Sequence, residues 1–179
     1  KTPRILIELF DAGNVRVTFL RLTFKLTYKL LEAAAKRAGD GRRVYVGGNI
    51  GAPLLPLVEQ MTERDYAVVE LSSFQLISMR QSPEVAVVTN VTPNHLDHHK
   101  DMQEYIDAKR NILLYQSPDS RTVLGWENDV TRSMETDVKG SLRWFTRLSP
   151  VSEGACLDEE NRLCLVHGGV YTPVLAASE

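Results

Sequence analysis

The sequence predicts an α/β fold: a mostly parallel sheet with helices on both faces and a small antiparallel hairpin near the C-terminus. Short apolar runs alternate with amphipathic segments along most of the 179 residues. Repeated strand–helix–strand order is typical of a parallel sheet covered on both faces. Predicted strands span residues 4–10, 43–46, 66–71, 85–89, 122–124 and 142–145. Predicted helices span residues 26–38, 53–61, 74–80, 102–115 and 128–136.

The pattern changes after residue 147. Two apolar runs at residues 154–157 and 162–167 flank a short acidic segment, which predicts the antiparallel hairpin. We therefore expect an α/β domain over residues 1–147, extended by the hairpin over residues 148–179. No closing element is evident after the hairpin, so we expect this extension to be truncated.

The composition is that of an ordinary globular protein. A net charge of −2 gives no basic excess, so a nucleic-acid footprint is not expected. No apolar run approaches the ~20 residues of a membrane span, and Glu8 and Asp11 interrupt the first apolar stretch, unlike an export signal. We expect a cytoplasmic protein in which Cys156 and Cys164 have a structural role.

Polar residues follow three successive predicted strands. Asn49, Glu70 and Asn90 stand at or just beyond strand ends, and His95 lies in the loop after the last of these strands. In open α/β sheets, ligands bind beyond the carboxyl ends of the strands. Any single polar residue here could be explained by a solvated loop, but together they favour a ligand site at this edge.

Glu70 departs most sharply from a core pattern. A carboxylate that directly continues a buried strand is costly unless it is paired or binds a metal. Ser72 or Ser73 could cap the helix that follows. A capping role alone remains an alternative for both serines.

Lys109 is the second anomaly. Its predicted helix opens with a capping box formed by Asp101 and Glu104, and the apolar stripe that includes Tyr105 and Ile106 predicts an apolar residue at position 109. Three alternatives are open: the lysine reaches solvent along its stem, it forms a buried ion pair, or its neutral amine takes up CO2. The resulting carbamate is an oxygen ligand, and Glu70, His95 and a carbamylated Lys109 would make a plausible Mg2+ environment. The pattern therefore indicates a phosphoryl-transfer or ligase site without naming a substrate.

Four motifs occur in order along the chain: GGNIG at residues 47–51, VELSSFQL at 69–76, NVTPNHLD at 90–97 and YIDAK at 105–109. Together they resemble the central, P-loop NTPase-like ATP-binding domain of the Mur ligase family. The first two resemble the branch that adds D-glutamate. The resemblance is strong over residues 44–115 and weaker as far as residue 136.

The resemblance implies a cytoplasmic, ADP-forming amide ligase of peptidoglycan synthesis, and hence a role in cell-wall biogenesis, cell shape and cell division. ATP would phosphorylate the carboxylate of UDP-N-acetylmuramoyl-L-alanine, and the amine of D-glutamate would displace phosphate. The implied cofactors are ATP and Mg2+. The implied partners are the two substrates and the N- and C-terminal domains of a full enzyme, so we expect this chain alone to be inactive.

The resemblance also implies roles for individual residues. Glu70 and His95 correspond to magnesium ligands, and Lys109 corresponds to a carbamylated lysine that helps to hold a second magnesium. His95 and Lys109 are accordingly the implied catalytic residues. The implied lining of the acceptor-substrate and phosphate side comprises His95 with Asn49, Ser72, Gln75 and Asn90.

The first thirty residues depart from the family pattern. A glycine-rich phosphate loop is expected near residues 21–27, but the sequence there is RLTFKLT. Lys25 and Thr27 could be the expected ATP-binding lysine and threonine, although the glycines are absent. Two other interpretations stay open: a non-catalytic nucleotide-sugar binding module, which the altered loop favours, and a folylpolyglutamate-type ligase, against which the ELSSFQL motif argues.

Overall fold

The computed structural model describes residues 4–9, 17–49, 51–93, 99–148 and 150–176. The strands in these ranges are β1 (Arg4–Leu9), β2 (Val44–Gly48), β3 (Tyr66–Glu70), β4 (Val85–Val88), β5 (Arg121–Gly125), β6 (Ser141–Thr146), β7 (Gly154–Leu157), β8 (Arg162–His167) and β9 (Val170–Ala176). The helices are α1 (Val17–Ala38), α2 (Ser73–Leu76), α3 (Met102–Leu114) and α4 (Asp129–Ser133), with 310 helices at Leu55–Gln60 and Met134–Asp137.

All these strands belong to one sheet in the order β2-β3-β1-β4-β5-β6-β7-β8-β9. Pairing is parallel from β2 across to β7, and antiparallel between β7, β8 and β9. The connections from β1 to β2 and from β3 to β4 run in opposite directions across the sheet. Because such crossovers are right-handed, α1 and α2 cover opposite faces. The predicted α/β fold is confirmed.

The main core lies between the sheet and the face of helices α2 and α3. Leu76 of α2, Ile112 and Leu113 of α3, Val88 of β4 and Leu124 of β5 are completely buried there. On the opposite face, α1 contacts β2 and β3. No helix in the described ranges is long and apolar enough to cross a membrane.

Helix α1 begins at Val17, well before the predicted start at residue 26. Lys25 and Thr27 therefore lie inside a helix, and residues 21–27 do not form the loop that the family pattern places there. The predicted helix at residues 53–61 is instead a 310 helix with a proline in its first turn. In an α-helix that began at residue 53, Pro56 would stand where the first intrahelical N–H donor is needed and could not supply it.

The C-terminal hairpin is the first part of a larger antiparallel unit. β7 pairs in parallel with β6, so this region continues the main sheet. The third strand, β9, was not predicted, because Pro173 interrupts its apolar run and a proline argues against a strand. The turn before it carries Gly168 and Gly169, both with positive φ, and such glycine pairs are typical of two-residue hairpins.

Candidate functional site at the carboxyl edge of the sheet

The end of β2 is drawn tightly against the end of β3 at Gly48 and against the segment after β2 at Gly47. Gly48 has φ +123°, and a Cβ there would lie 2.2 Å from the carbonyl oxygen of Glu70. A Cβ on Gly47 would lie 2.1 Å from the carbonyl oxygen of Ala52. The close approach allows the N–H of Asn49 to donate to the Glu70 carbonyl at 2.8 Å. Gly48 thus allows Asn49 to lie at the strand end that carries Glu70.

Glu70 is the last residue of β3 and is only 5% exposed. Its neighbours in register are Gly48 on one side and Glu8 of β1 on the other. Asn90 is half-buried just beyond β4. The structure therefore brings Asn49, Glu70 and Asn90 to the carboxyl ends of adjacent or near-adjacent strands, as the sequence predicts.

Helix α2 begins with a capping box built from Ser72 and Gln75. The Ser72 hydroxyl accepts from the Gln75 N–H, and the Gln75 Oε1 accepts from the Ser72 N–H at 2.9 Å and from its hydroxyl at 3.0 Å. The predicted capping role is confirmed for Ser72. Ser73, by contrast, directs its hydroxyl towards α3. Ser72 and Gln75 lie together at the surface of the site, where their polar groups already bond to each other.

Lys109 lies on the buried face of α3 and is only 2% exposed. Its Nζ is 4.9 Å from the centroid of the Tyr105 ring, which is itself 1% exposed. The alternative in which the lysine reaches solvent is therefore wrong. A buried ion pair and a carbamate remain, because both keep a polar group inside the protein at this position.

The cap of α3 differs in one detail from the prediction. Asp101 is the N-cap and accepts from the Glu104 N–H at 2.8 Å. The Glu104 carboxylate, however, accepts from the N–H of Lys100 at 2.8 Å. It also lies 3.4 Å from Nδ1 of His99. The reciprocal bond is thus displaced by one residue towards the loop.

His99 is a site residue that the sequence analysis missed. It is 5% exposed, and its Nε2 lies 2.9 Å from the hydroxyl oxygen of Ser73. Its ring stacks on Phe74 with centroids 5.1 Å apart and meets the edge of Tyr105 at 5.2 Å. Ser73 and His99 are separated by 26 residues, so no local periodicity could have paired them.

The remaining predicted site residues are His95, Lys25 and Thr27. His95 lies outside the described residues. Lys25 is exposed in α1, and Thr27, two residues further along the helix, is half-buried. Backbone N–H groups inside a helix bond to carbonyls one turn earlier and are not available to cradle phosphate. The connection from β1 to α1 comprises residues 10–16, also outside the described residues, and its sequence has one glycine and no lysine.

The carboxyl edge beyond β4 is occupied by the protein's own hydrogen bonds. The Glu127 carboxylate accepts from the Thr146 hydroxyl at 2.7 Å and from the Arg147 N–H at 2.6 Å. Burial acts to raise the pKa of Glu127, but these bonds outweigh it and lower the pKa. Asn128 donates to the carbonyl of Val91 at 3.0 Å. None of these bonds involves the side chains of Asn49, Glu70 or Asn90.

No three His, Cys, Asp or Glu side chains within the described part of the chain group closely enough to hold a metal ion. Of the predicted ligands, Glu70 is the one that carries a carboxylate, and its position is described. Magnesium also takes water and phosphate oxygens as ligands, so one or two side-chain ligands are enough for such a site.

The chain resembles known proteins in sequence. A ligase named UDP-N-acetylmuramoylalanine–D-glutamate ligase from Acetivibrio thermocellus is 44% identical over 157 residues, which is 88% of this chain and 32% of that protein. The protein of the same name from Clostridium botulinum strain Loch Maree is 45% identical over 143 residues, 80% of this chain and 30% of that protein. The chain thus spans about a third of the length of the curated relatives it matches.

Solved structures share the fold at low sequence identity. A structure of UDP-N-acetylmuramoyl-L-alanyl-D-glutamate–2,6-diaminopimelate ligase has a TM-score of 0.69 at 15% identity, covering 97% of this chain and 39% of that one. MurF ligase from Thermotoga maritima, solved in complex with ADP, has a TM-score of 0.58 at 14% identity, covering 97% and 40%. Residues 19–149, more than half of the chain, match the Mur ligase middle domain. The chain therefore belongs to the Mur ligase middle domain family.

Proposed function

We propose that this chain is the central domain of an ATP-dependent ligase that adds D-glutamate to UDP-N-acetylmuramoyl-L-alanine in peptidoglycan synthesis. The observation that carries the proposal is the pair of buried charged residues Glu70 and Lys109, 5% and 2% exposed, at the site that the family motifs delimit. The names of the curated relatives supply the substrates. The proposed protein acts in the cytoplasm together with the flanking domains that its longer relatives have room for.

The residues present fit a magnesium ion. Glu70 offers carboxylate oxygens at the end of β3, and burial of such a group is costly without a compensating charge. Magnesium prefers oxygen ligands and commonly shares them with phosphate and water. When bound, Mg2+ offsets the negative charge that develops on the phosphate oxygens during transfer. Glu70 and His95 are the proposed ligands from this chain.

Lys109 is proposed to act as a carbamate. A neutral lysine amine attacks CO2, a nitrogen–carbon bond forms, and one proton is released to solvent. The buried cation thereby becomes an anion that can hold magnesium. Tyr105 lies beneath the Nζ at 4.9 Å and fixes the direction of the side chain. The proposal accounts for a lysine at a helix position where an apolar residue is expected.

The acceptor substrate is proposed to bind over the turn that carries Asn49 and the start of α2. Asn49 is exposed, and Ser72 and Gln75 present a hydroxyl and an amide at the same surface. The side-chain amides of Asn49, Gln75 and Asn90 can donate hydrogen bonds to a carboxylate and orient it for phosphorylation. The Ser72 hydroxyl, which donates to Gln75 Oε1, holds the Gln75 amide in place. The amine of D-glutamate then attacks the carbonyl carbon of the acyl phosphate. The amide C–N bond forms, the amine loses a proton, and phosphate leaves as the bond between the carbonyl carbon and the phosphate oxygen breaks.

A non-catalytic nucleotide-sugar binding module is the second candidate. It is favoured by one observation: α1 begins at Val17, and residues 10–16, between β1 and α1, contain no lysine that could contact phosphate. ATP contact by Lys25 and Thr27 stays a prediction, with both residues inside the helix. The folylpolyglutamate alternative shares only the fold, since a FolC structure matches at 12% identity with a TM-score of 0.54.

Isothermal titration calorimetry with ATP, with and without Mg2+, separates the two candidates. The ligase proposal predicts ATP binding that requires Mg2+ and is weakened by Glu70→Gln, which keeps the size of the side chain and removes its charge. Glu59→Gln, an exposed change on the 310 helix, is the matched control and should leave binding intact. Binding of UDP-N-acetylmuramoyl-L-alanine without any Mg2+-dependent ATP binding would contradict the ligase proposal and favour the binding module.

A further inference from the structure

Three polar side chains form a row of contacts from helix α2 to helix α3. Ser73 is the first residue of α2, His99 lies just before α3, and Glu104 is in the first turn of α3. The Ser73 hydroxyl oxygen is 2.9 Å from Nε2 of His99, and Nδ1 of His99 is 3.4 Å from the Glu104 carboxylate. A carboxylate beside Nδ1 favours the tautomer with its proton there. Nε2 is then the acceptor, and the Ser73 hydroxyl is the donor. His99 is thereby fixed in orientation from both sides.

The order serine, histidine, carboxylate also occurs in nucleophilic enzymes, but the burial of Ser73 excludes that role. Its relative exposure is 2%, and the ring of His99 is enclosed between Phe74 and Tyr105. A nucleophile must reach a substrate atom at about 3 Å. No substrate can approach the hydroxyl here without opening the interface between α2 and α3.

His99 instead connects the start of α2 with Lys109 of α3. Through Ser73 and Phe74 it contacts the first turn of α2, where Ser72 and Gln75 also lie. Through Tyr105 it contacts the ring over which the Nζ of Lys109 is placed. The other end of α2 is held separately, because Asn111 donates to the Leu76 carbonyl at 2.9 Å. Of these interactions, those of His99 are the ones that link the start of α2 to Lys109.

We propose that His99 is a positioning residue that fixes Lys109 on α3 against the start of α2, with Ser73 and Glu104 setting its orientation. The inference deepens the proposed function, on which it rests for the chemical role of Lys109. His99 touches no reacting atom in this account. It holds the buried amine in place, and loss of its hydrogen bond to Ser73 allows the interface to open.

Chemical labelling of Lys109 tests this in the 179-residue chain. The acetylation rate of its amine is measured by peptide mass spectrometry in CO2-free buffer, because a buried amine reacts only when its surroundings open. His99→Phe keeps a ring between Phe74 and Tyr105 but removes both nitrogens, and Ser73→Ala removes the hydroxyl. Each is expected to accelerate labelling about tenfold, the effect typical of losing one buried hydrogen bond.

Two further variants distinguish positioning from general destabilisation. His99→Gln can place an amide where Nε2 lies and should restore most of the protection of Lys109. Thr122→Val removes a buried hydrogen bond of 2.8 Å to Gln116 near the amino end of strand β5, away from the carboxyl ends that carry the site. It should leave the native labelling rate of Lys109 unchanged. The double variant of Ser73→Ala and His99→Phe should label no faster than either single variant, because both remove the same bond.

Labelling of Lys109 at the wild-type rate in both His99→Phe and Ser73→Ala would overturn the proposal, as would equal acceleration by Thr122→Val. A second readout is the carbamate carbon signal in 13C NMR with labelled bicarbonate, which should weaken in His99→Phe. If the wild-type chain gives no such signal, the proposed role of Lys109 fails, and the labelling rates still decide whether His99 positions it. The two failures are therefore distinguishable.

Discussion

The Nζ of Lys109 lies 4.9 Å from the centre of the Tyr105 ring, and both side chains are almost fully buried. The two residues are one helical turn apart on α3, so the helix itself sets this contact. An unmodified, protonated lysine is stabilised electrostatically over an aromatic face, and more so when water is excluded. The pair places a chemically reactive group inside the core rather than at the surface.

Replacing Tyr105 by leucine removes the ring beneath Lys109 and leaves a space in the core. We expect Tyr105→Leu to lower the free energy of unfolding by about 2 kcal/mol or more, measured by urea denaturation. Tyr115→Leu is the matched control, because Tyr115 ends the same helix and is 43% exposed. Its effect should stay within about 0.5 kcal/mol. Equal losses in the two variants would contradict the buried placement of Tyr105.

The close approach at the end of β2 predicts a strong effect of a single methyl group. Gly48→Ala combines a positive φ with a contact of 2.2 Å to the Glu70 carbonyl oxygen, which is backbone and cannot move aside. We expect a loss of roughly 3 kcal/mol in the free energy of unfolding.

Gly41 supplies the control for that experiment. It also has positive φ, at +73°, but a Cβ there would meet nothing within 4 Å. Gly41→Ala should therefore cost only about 1 kcal/mol, for the backbone conformation alone. A Gly48→Ala variant as stable as Gly41→Ala would show that the end of β2 does not approach β3 as described.

The alternative roles of Ser72 can be separated by substitution. Ser72→Ala removes the helix cap and should cost about 1 kcal/mol in the free energy of unfolding. Ser72→Asp keeps an acceptor for the Gln75 N–H and should restore that stability. Its added negative charge should nevertheless repel the carboxylate of UDP-N-acetylmuramoyl-L-alanine in a calorimetric binding assay. If Ser72→Asp retained both stability and binding, capping alone would explain the residue.

Asp65 predicts a dependence of stability on pH. Burial acts to raise its pKa, but hydrogen bonds from the N–H groups of Arg43 and Thr62, the Thr62 hydroxyl and the Arg43 side chain outweigh it. The pKa falls from 3.8 to about 2. Because the folded-state pKa is depressed, the stabilisation is complete above pH 3.8 and is lost as pH falls towards 2. Its full value is about 2 kcal/mol.

The measurement for Asp65 is urea unfolding of the wild-type chain and Asp65→Asn over a series of pH values. The difference in free energy of unfolding between the two should be largest near neutral pH and shrink below pH 3.8, where the wild-type carboxylate begins to protonate in the unfolded state. A difference that is constant across this range would contradict the depressed pKa.

The sheet could be predicted from the sequence because its central strands are buried on both faces and read as continuous apolar runs. The beginning of α1 could not, since the residues after Val17 are rich in β-branched and aromatic types that favour strands. Strand β9 escaped because Pro173 breaks its pattern, and the structure accommodates this proline on an edge strand beside an irregularity in register.

In the candidate site too, some residues could be predicted from the sequence and others could not. Lys109 was found because helix periodicity exposes a charged residue on an apolar face, and Glu70 because it ends a buried strand. His99 depends on a partner 26 residues earlier in the chain. Its position follows only from how α2 and α3 pack. Long-range pairs of this kind have no signature in a single sequence.

The central claim is that Lys109 is a buried amine whose carbamate contributes to a magnesium site. The most direct measurement is 13C NMR of the chain in labelled bicarbonate, with Lys109→Arg as the reference, because a guanidinium stays protonated and cannot form the carbamate. The account predicts a carbamate carbon signal that is absent from Lys109→Arg and strengthened by Mg2+. A wild-type spectrum identical to that of Lys109→Arg, with and without Mg2+, would contradict it.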